Sequence, residues 1–191
     1  MRARSTFIFV IAAATVASGQ PQRDAILNLD YVTDTEAHRI YALVVPALWA
    51  TRSRDPIVLQ RETVGVEAFT RCRDTSSPDA DWVAVQKNFS QENARRMVLP
   101  TALPFDEPYR LIALAEIEAI DAKLAIKYPG VYNERPESPP YVAVSAVGFN
   151  AEKTKAMVYV RLRDRGEVKG FELRDGQWVA APKSNGCIWI A

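Results

Sequence analysis

The sequence predicts an α+β fold in which N-terminal helices pack on a C-terminal antiparallel β-meander. Two stretches near the start and middle, around Ala37–Leu48 and Ala113–Lys127, place apolar residues at helical spacing. Tyr141 to Ala191 instead alternates apolar and polar residues between turn signals. Helices first and strands last is the order of an α+β domain, with helices covering one face of the sheet.

The first helix opens at Thr33-Asp-Thr-Glu36, which reads as a capping box, and Ala37, Ile40, Tyr41, Val44 and Leu48 form its stripe. Pro46 is expected to end or kink it, because proline removes a helical hydrogen bond and crowds the preceding turn. Ile57 to Phe69 reads as one or two strands, and Asp74 to Asp79 as a loop. Trp82, Val85 and Phe89 mark a second amphipathic helix, with Glu92 to Val98 as its continuation. Pro100, Pro104 and Pro108 make an extended connector. Ala113 to Lys127 is a third helix with Ile117, Ile120 and Leu124 on one side, stopped by Tyr128-Pro-Gly130, and Glu134 to Pro140 is a Pro-rich approach to the meander.

The meander begins with Tyr141–Phe149, breaks at Asn150–Thr154, and resumes at Ala156–Arg163. In that second strand Val158, Val160 and Leu162 alternate with Met157, Tyr159 and Arg161, the pattern of a half-buried strand. Asp164-Arg-Gly166 is the next turn. Phe171 and Leu173 alternate with Glu172 and Arg174, and Asp175-Gly176 closes a two-residue hairpin, because glycine takes positive φ at no steric cost. Gln177–Ala180 runs back, with Trp178 as an expected core anchor, and Cys187–Ile190 is a short closing strand.

The start of the chain reads as an address. Arg2 and Arg4 precede an apolar run from Phe7 to Ala17, and Ala17-Ser-Gly19 offers small residues for cleavage, so residues 1–19 are expected to be a removed signal peptide. The run is well short of the roughly 20 residues that span a bilayer. Residues 20–191 then form a single α+β domain, exported to the periplasm or the medium, with no membrane span in the mature chain. Without Arg2 and Arg4, Lys plus Arg falls from 24 to 22 against 23 Asp plus Glu, a net charge of −1. So neutral a chain gives no electrostatic case for nucleic acid. Arg161, Arg163 and Arg165 make a local basic run that reads as a solvent-facing strand end.

Catalytic, cofactor and metal readings each meet a plainer alternative. His38 is the single histidine, beside the apolar stripe of the first helix, which argues against a histidine-built triad or zinc site. Ser90 and Ser145 have no base in sequence. Glu116 and Glu118 point about 200° apart on a helix and read as a solvated face. Asp79-Ala-Asp81 lacks the further oxygen ligands and glycine of a calcium loop and reads as a helix start. Trp82, Trp178 and Trp189 read as core aromatics before pocket lining. No catalytic, cofactor-binding or metal residue is assigned, and the partner is unknown.

Cys72 and Cys187 are the one chemical pair. Their even number and the oxidising compartment predict a structural disulfide between the end of an early strand and the last one. Such a bond stabilises by roughly 4 to 5 kcal/mol in the chain-entropy account, less any strain. The alternative is two separate buried thiols.

Tyr128-Pro-Gly130, Ser145-Ala-Val-Gly-Phe-Asn150, Lys155-Ala-Met-Val-Tyr-Val160, Asp175-Gly-Gln-Trp178 and Ile188-Trp-Ile190 resemble the C-terminal half of a family of uncharacterised secreted bacterial proteins. The resemblance implies an exported α+β domain and supplies no activity. Where many members carry a Cys-Gly pair of turns after the second strand, Arg161 to Gly166 stands here, so no role of those cysteines carries over. Two function classes follow. One is a non-catalytic envelope or secreted binding module. The other is a small-ligand pocket domain similar to nuclear transport factor 2, which shares the late Gly-x-Trp strand, with room for an enzyme using Asp or Glu alone. A deep, partly polar cavity between helices and sheet distinguishes the second from the first.

Overall fold

The computed structural model describes residues 29–51, 55–65, 67, 79–129, 140–162, 165–181 and 188–190. The expected leader at 1–19 and both Cys72 and Cys187 lie outside the described residues.

The elements run α1 (Thr35–Trp49), β1 (Ile57–Gln60), α2 (Ala80–Glu92), β2 (Tyr109–Ile112), α3 (Leu114–Lys127), β3 (Val142–Val144), β4 (Gly148–Phe149), β5 (Lys155–Leu162), β6 (Arg165–Arg174), β7 (Gln177–Ala180) and β8 (Ile188–Ile190). The sheet has the order β2-β1-β3-β5-β6-β7, with β4 also on β5 and β8 also on β6. The α+β class and the antiparallel C-terminal half are as predicted, since β3 to β8 pair antiparallel throughout. The other half is different: β1 lies parallel to both β2 and β3. Parallel neighbours need a long crossover, and α2 lies within the one joining β1 to β2.

That crossover corrects the expectation of helices on one face. Ala156, Val158, Val160 and Leu162 of β5 pack with Ile40, Tyr41, Val44 and Val45 of α1. Met157 and Tyr159, pointing the other way, pack with Val85 and Phe89 of α2. Ala156 through Val160 are therefore all buried, and the half-buried reading of this strand is wrong because each face has its own helix. The α1 side forms the larger core, which also holds Trp49, Leu59, Val142, Phe171 and Trp178.

Local differences have local causes. The α1 cap is Asp34, not Thr33: its carboxylate accepts the Glu36 amide at 2.9 Å, while Thr33 is exposed. The helix runs on through Pro46, because its last turn buries Trp49, whose Nε1 donates to the Asp55 carbonyl at 2.7 Å. Packing of one large aromatic outweighs the lost helical bond. α2 stops at Glu92 instead of continuing towards Val98, since Asn93 caps it and Val98 bridges to Tyr31 and Glu62. β2 has no alternation long enough to read in sequence, and its edge position rests on pairing with β1. Arg165 and Gly166 belong to β6, not to a turn, pairing with Leu162 and Arg161. The Asp175-Gly176 turn is as expected, with φ of 50° and 76° and Arg174 opposite Gln177.

Candidate binding cleft

The chain from β3 to β4 cannot run straight. Ser145 Oγ accepts the Tyr159 amide at 2.9 Å and donates to the Ala146 carbonyl at 2.8 Å, so a side chain stands where the strand's own backbone would pair. Asn93, fully buried at the end of α2, holds the displaced segment from outside. Its Oδ1 accepts the Ala146 amide at 2.8 Å, and its Nδ2 donates to the carbonyls of Ala146 at 3.1 Å and Phe89 at 2.8 Å. Gly148 then lets α2 lie directly on β4: a Cβ there would sit 2.4 Å from the Phe89 Cα. Asn88, one turn earlier on α2, accepts the Phe149 amide on Oδ1 at 2.7 Å.

The turn after β4 is organised by Asn150, whose Oδ1 accepts the amides of Thr154 at 2.8 Å and Lys155 at 2.9 Å. It places two lysines against the caps of two helices. Lys153, at a left-handed φ of 51°, donates to Asp34 at 2.7 Å, and Lys155 donates to Asp79 at 2.6 Å and lies 3.4 Å from Asp81. Asp34 caps α1 and Asp79 caps α2, so each aspartate holds a helix amide with one oxygen and a lysine with the other. Burial works to raise the Asp34 carboxyl, but hydrogen bonds from Lys153 and the Glu36 amide outweigh it and hold it below the usual carboxylate range. At Asp79 the hydrogen bond from Lys155 leads, and its carboxyl is likewise lowered; the same bond raises the Lys155 ammonium.

Beside the Asp34–Lys153 tether lies a cleft of about 460 Å³, walled by the start of α1 (Asp34, Ala37), by α2 (Ala84, Asn88, Glu92) and by Met97, with Ala146, Val147 and Phe149 as its floor. A second hollow, of about 450 Å³, lies under the end of α1 beside Leu162, Arg165, Glu167 and Lys169, where Lys169 and Glu167 pair at 2.8 Å. The first is the better built, with an apolar floor and polar walls held by defined hydrogen bonds.

The residues weighed in sequence lie elsewhere or serve the fold. His38 is half-buried, its Nε2 2.9 Å from the Val32 carbonyl. Ser90 Oγ donates to the Gln86 carbonyl at 3.0 Å, one helical turn back, and Ser145 shapes the β3–β4 break. Glu116 and Glu118 are exposed on α3. Asp79 and Asp81 start α2, as read. Trp178 is buried in the core, and Trp82 packs half-buried on the α2 side beneath Lys155. Arg161 departs from its solvent-facing reading: it is half-buried and lies over the Tyr141 ring, 5.9 Å from its centroid. Arg165 is exposed, and Arg163 lies outside the described residues. Sequence reasoning missed Asn88, Asn93 and Asn150. Asparagine is a poor residue for a helix interior, so Asn88 and Asn93 at the end of an amphipathic pattern are the signal it held.

No family model, curated protein or solved structure matches the chain. Among the described residues no helix is long and apolar enough to cross a membrane.

Proposed function

We propose that this chain is an exported binding module without chemistry of its own, and that it binds in the cleft between α1, α2 and β4. The carrying observation is where space remains. Apolar side chains fill the interval between α1 and the sheet, and a second set fills the interval under α2. A pocket of the nuclear transport factor 2 kind would sit in one of those intervals, so the filled cores support the binding module over it. The cleft lies at the rim of the α1-side core, with Val147 and Phe149 of that core as its floor and Ala37 on its wall. The polar side chains around it are engaged in holding elements together: Asp34 with Lys153, Asn88 with Phe149, Asn150 with Lys155. Groups fixed in this way suit recognition, because they present a preformed surface.

Export is supported by Arg2, Arg4 and the Phe7–Ala17 run, and the Cys72–Cys187 disulfide belongs to the same reading. Expression in a bacterial host followed by fractionation tests it. The expected product is outside the cytoplasm, begins near Gln20 and shows no free thiol when denatured without reductant; a cytosolic chain retaining Met1 overturns export, and two titratable thiols overturn the bond. For binding, amide shifts of the labelled protein with small apolar and peptide probes are expected to cluster on Asp34, Asn88, Val147 and Lys153. Shifts confined to other surfaces, or turnover of a probe, overturn the reading.

A further inference from the structure

We propose that the cleft binds a small organic cation, a primary amine on a short apolar body; this rests on the binding reading above. Three charged side chains border the space: Asp34, Lys153 and Glu92. Two of them cancel. Lys153 donates to Asp34 Oδ2 at 2.7 Å, and the other Asp34 oxygen accepts the Glu36 amide at 2.9 Å. The carboxylate of Glu92 is left over. Among the described residues it forms no ion pair, and its one hydrogen-bond partner is Asn88 Nδ2 at 3.4 Å, beyond good length.

Position strengthens that remaining charge. Glu92 is the last residue of α2, whose last turn carries no basic residue, so its carboxylate stands at the negative end of the helix dipole. An ammonium group there gains a carboxylate oxygen that Asn88 holds only weakly. An anion fares differently. Its one cation in the lining is Lys153, and pairing with it takes that lysine from Asp34 and undoes the tether at the start of α1. Lys153 is held a second time by the Phe149 ring, with its ammonium 5.6 Å from the centroid.

Size and lining set the rest of the ligand. Ala37 and Ala84, small residues on the two helices, and Val147 and Phe149 of the floor give the space its apolar surface. At about 460 Å³ it lies within the roughly 300 to 1,000 Å³ of small-molecule sites. The second hollow carries the opposite remainder, since Glu167 pairs with Lys169 at 2.8 Å and Arg165 is left. The same amine is disfavoured there.

The probes are phenethylamine, phenethyl alcohol and hydrocinnamate, which share a phenyl ring on a short chain and differ in charge. Each is titrated into the isotope-labelled purified protein at neutral pH and followed by amide shifts. The amine is expected to shift Ala84, Val147 and the Asn88 side-chain amide and to bind about threefold more tightly than the alcohol, the scale of one exposed ion pair. The carboxylate binds more weakly than the alcohol, and added salt narrows the differences. Glu92→Gln, a change on an exposed side chain, brings the amine down to the alcohol and leaves the alcohol unchanged, a split that a merely structural role does not produce. Glu118→Gln on α3 changes neither. Equal binding of the three probes, an amine insensitive to Glu92→Gln, or an equal loss in Glu118→Gln overturns the cation proposal and leaves the binding reading standing. If only a peptide probe shifts the cleft amides, the cation proposal falls alone; if no probe does, both fall.

Discussion

The indole Nε1 of Trp178 donates to Glu36 Oε2 at 2.6 Å, which ties the last described hairpin to the first turn of α1 across 142 residues. Glu36 also pairs with Arg39 at 3.0 Å, and Arg39 donates to the Gly176 carbonyl at 2.6 Å, so the β6–β7 turn and the α1 start share one small network. Beneath it the Trp178 ring packs 5.9 Å from Phe149 in the α1-side core.

Trp178→Ala is therefore expected to cost about 3 to 5 kcal/mol, the range for removing a large buried aromatic. Trp178→Phe keeps most of the packing and loses the Glu36 bond, for about 1 to 2 kcal/mol. Urea unfolding of the two variants separates the contributions. Equal losses would mean that the hydrogen bond, not the ring, anchors the hairpin.

Trp178 was legible in sequence because it follows a turn with a strong local signature, on a strand that must bury one face. The existence of α1 and of β5 to β7 was legible for the same reason, whereas the α1 cap, its passage through Pro46, the burial of both faces of β5 and the start of β6 at Arg165 were not. What sequence could not show is which elements become neighbours. The parallel placement of β1 beside β2 and β3 joins segments far apart in the chain, and it decides that β5 is covered on both faces. The cleft was illegible for the same reason: Asn88, Asn93, Ala146 and Phe149 meet only after α2 settles on β4.

Asn93 makes the cost of that meeting measurable. Asn93→Ala leaves the Ala146 amide and carbonyl buried without their present partner, at an expected loss of about 2 to 3 kcal/mol. The Ala146 amide is then expected to exchange with solvent markedly faster than in the parent protein. A loss under about 0.5 kcal/mol would show that water replaces the carboxamide readily.

Acid stability should follow the two capping aspartates. Both carboxyls lie below the usual value of 3.8 in the folded chain. A group lowered on folding contributes stability that is fully present above its unfolded value and is lost as pH falls through its folded value. Stability is thus expected to be flat in this respect at neutral pH and to decline below about pH 4. The double change Asp34→Asn and Asp79→Asn should flatten that acid limb. An unchanged acid limb in the double variant would assign the decline to other carboxylates.

Two glycines separate close approach from backbone conformation. At Gly176 φ is +76° and nothing lies within 4 Å of an added Cβ, so Gly176→Ala is strained only by the left-handed turn, for about 1 kcal/mol. At Gly148 an added Cβ meets the Phe89 backbone, with the Cα at 2.4 Å and the nitrogen at 2.5 Å, and a helix backbone cannot swing aside as a side chain does. Gly148→Ala is expected to push α2 off β4 and to cost about 3 kcal/mol, the scale of overpacking in a core. The shift must also lengthen the Asn88 contact with the Phe149 amide, now 2.7 Å, and expose Trp82 on the moving helix. Faster exchange of the Phe149 amide with red-shifted tryptophan emission is the expected signature. A Gly148→Ala protein as stable as Gly176→Ala would show that α2 rides on β4 loosely, and that the floor of the cleft is not fixed by this contact.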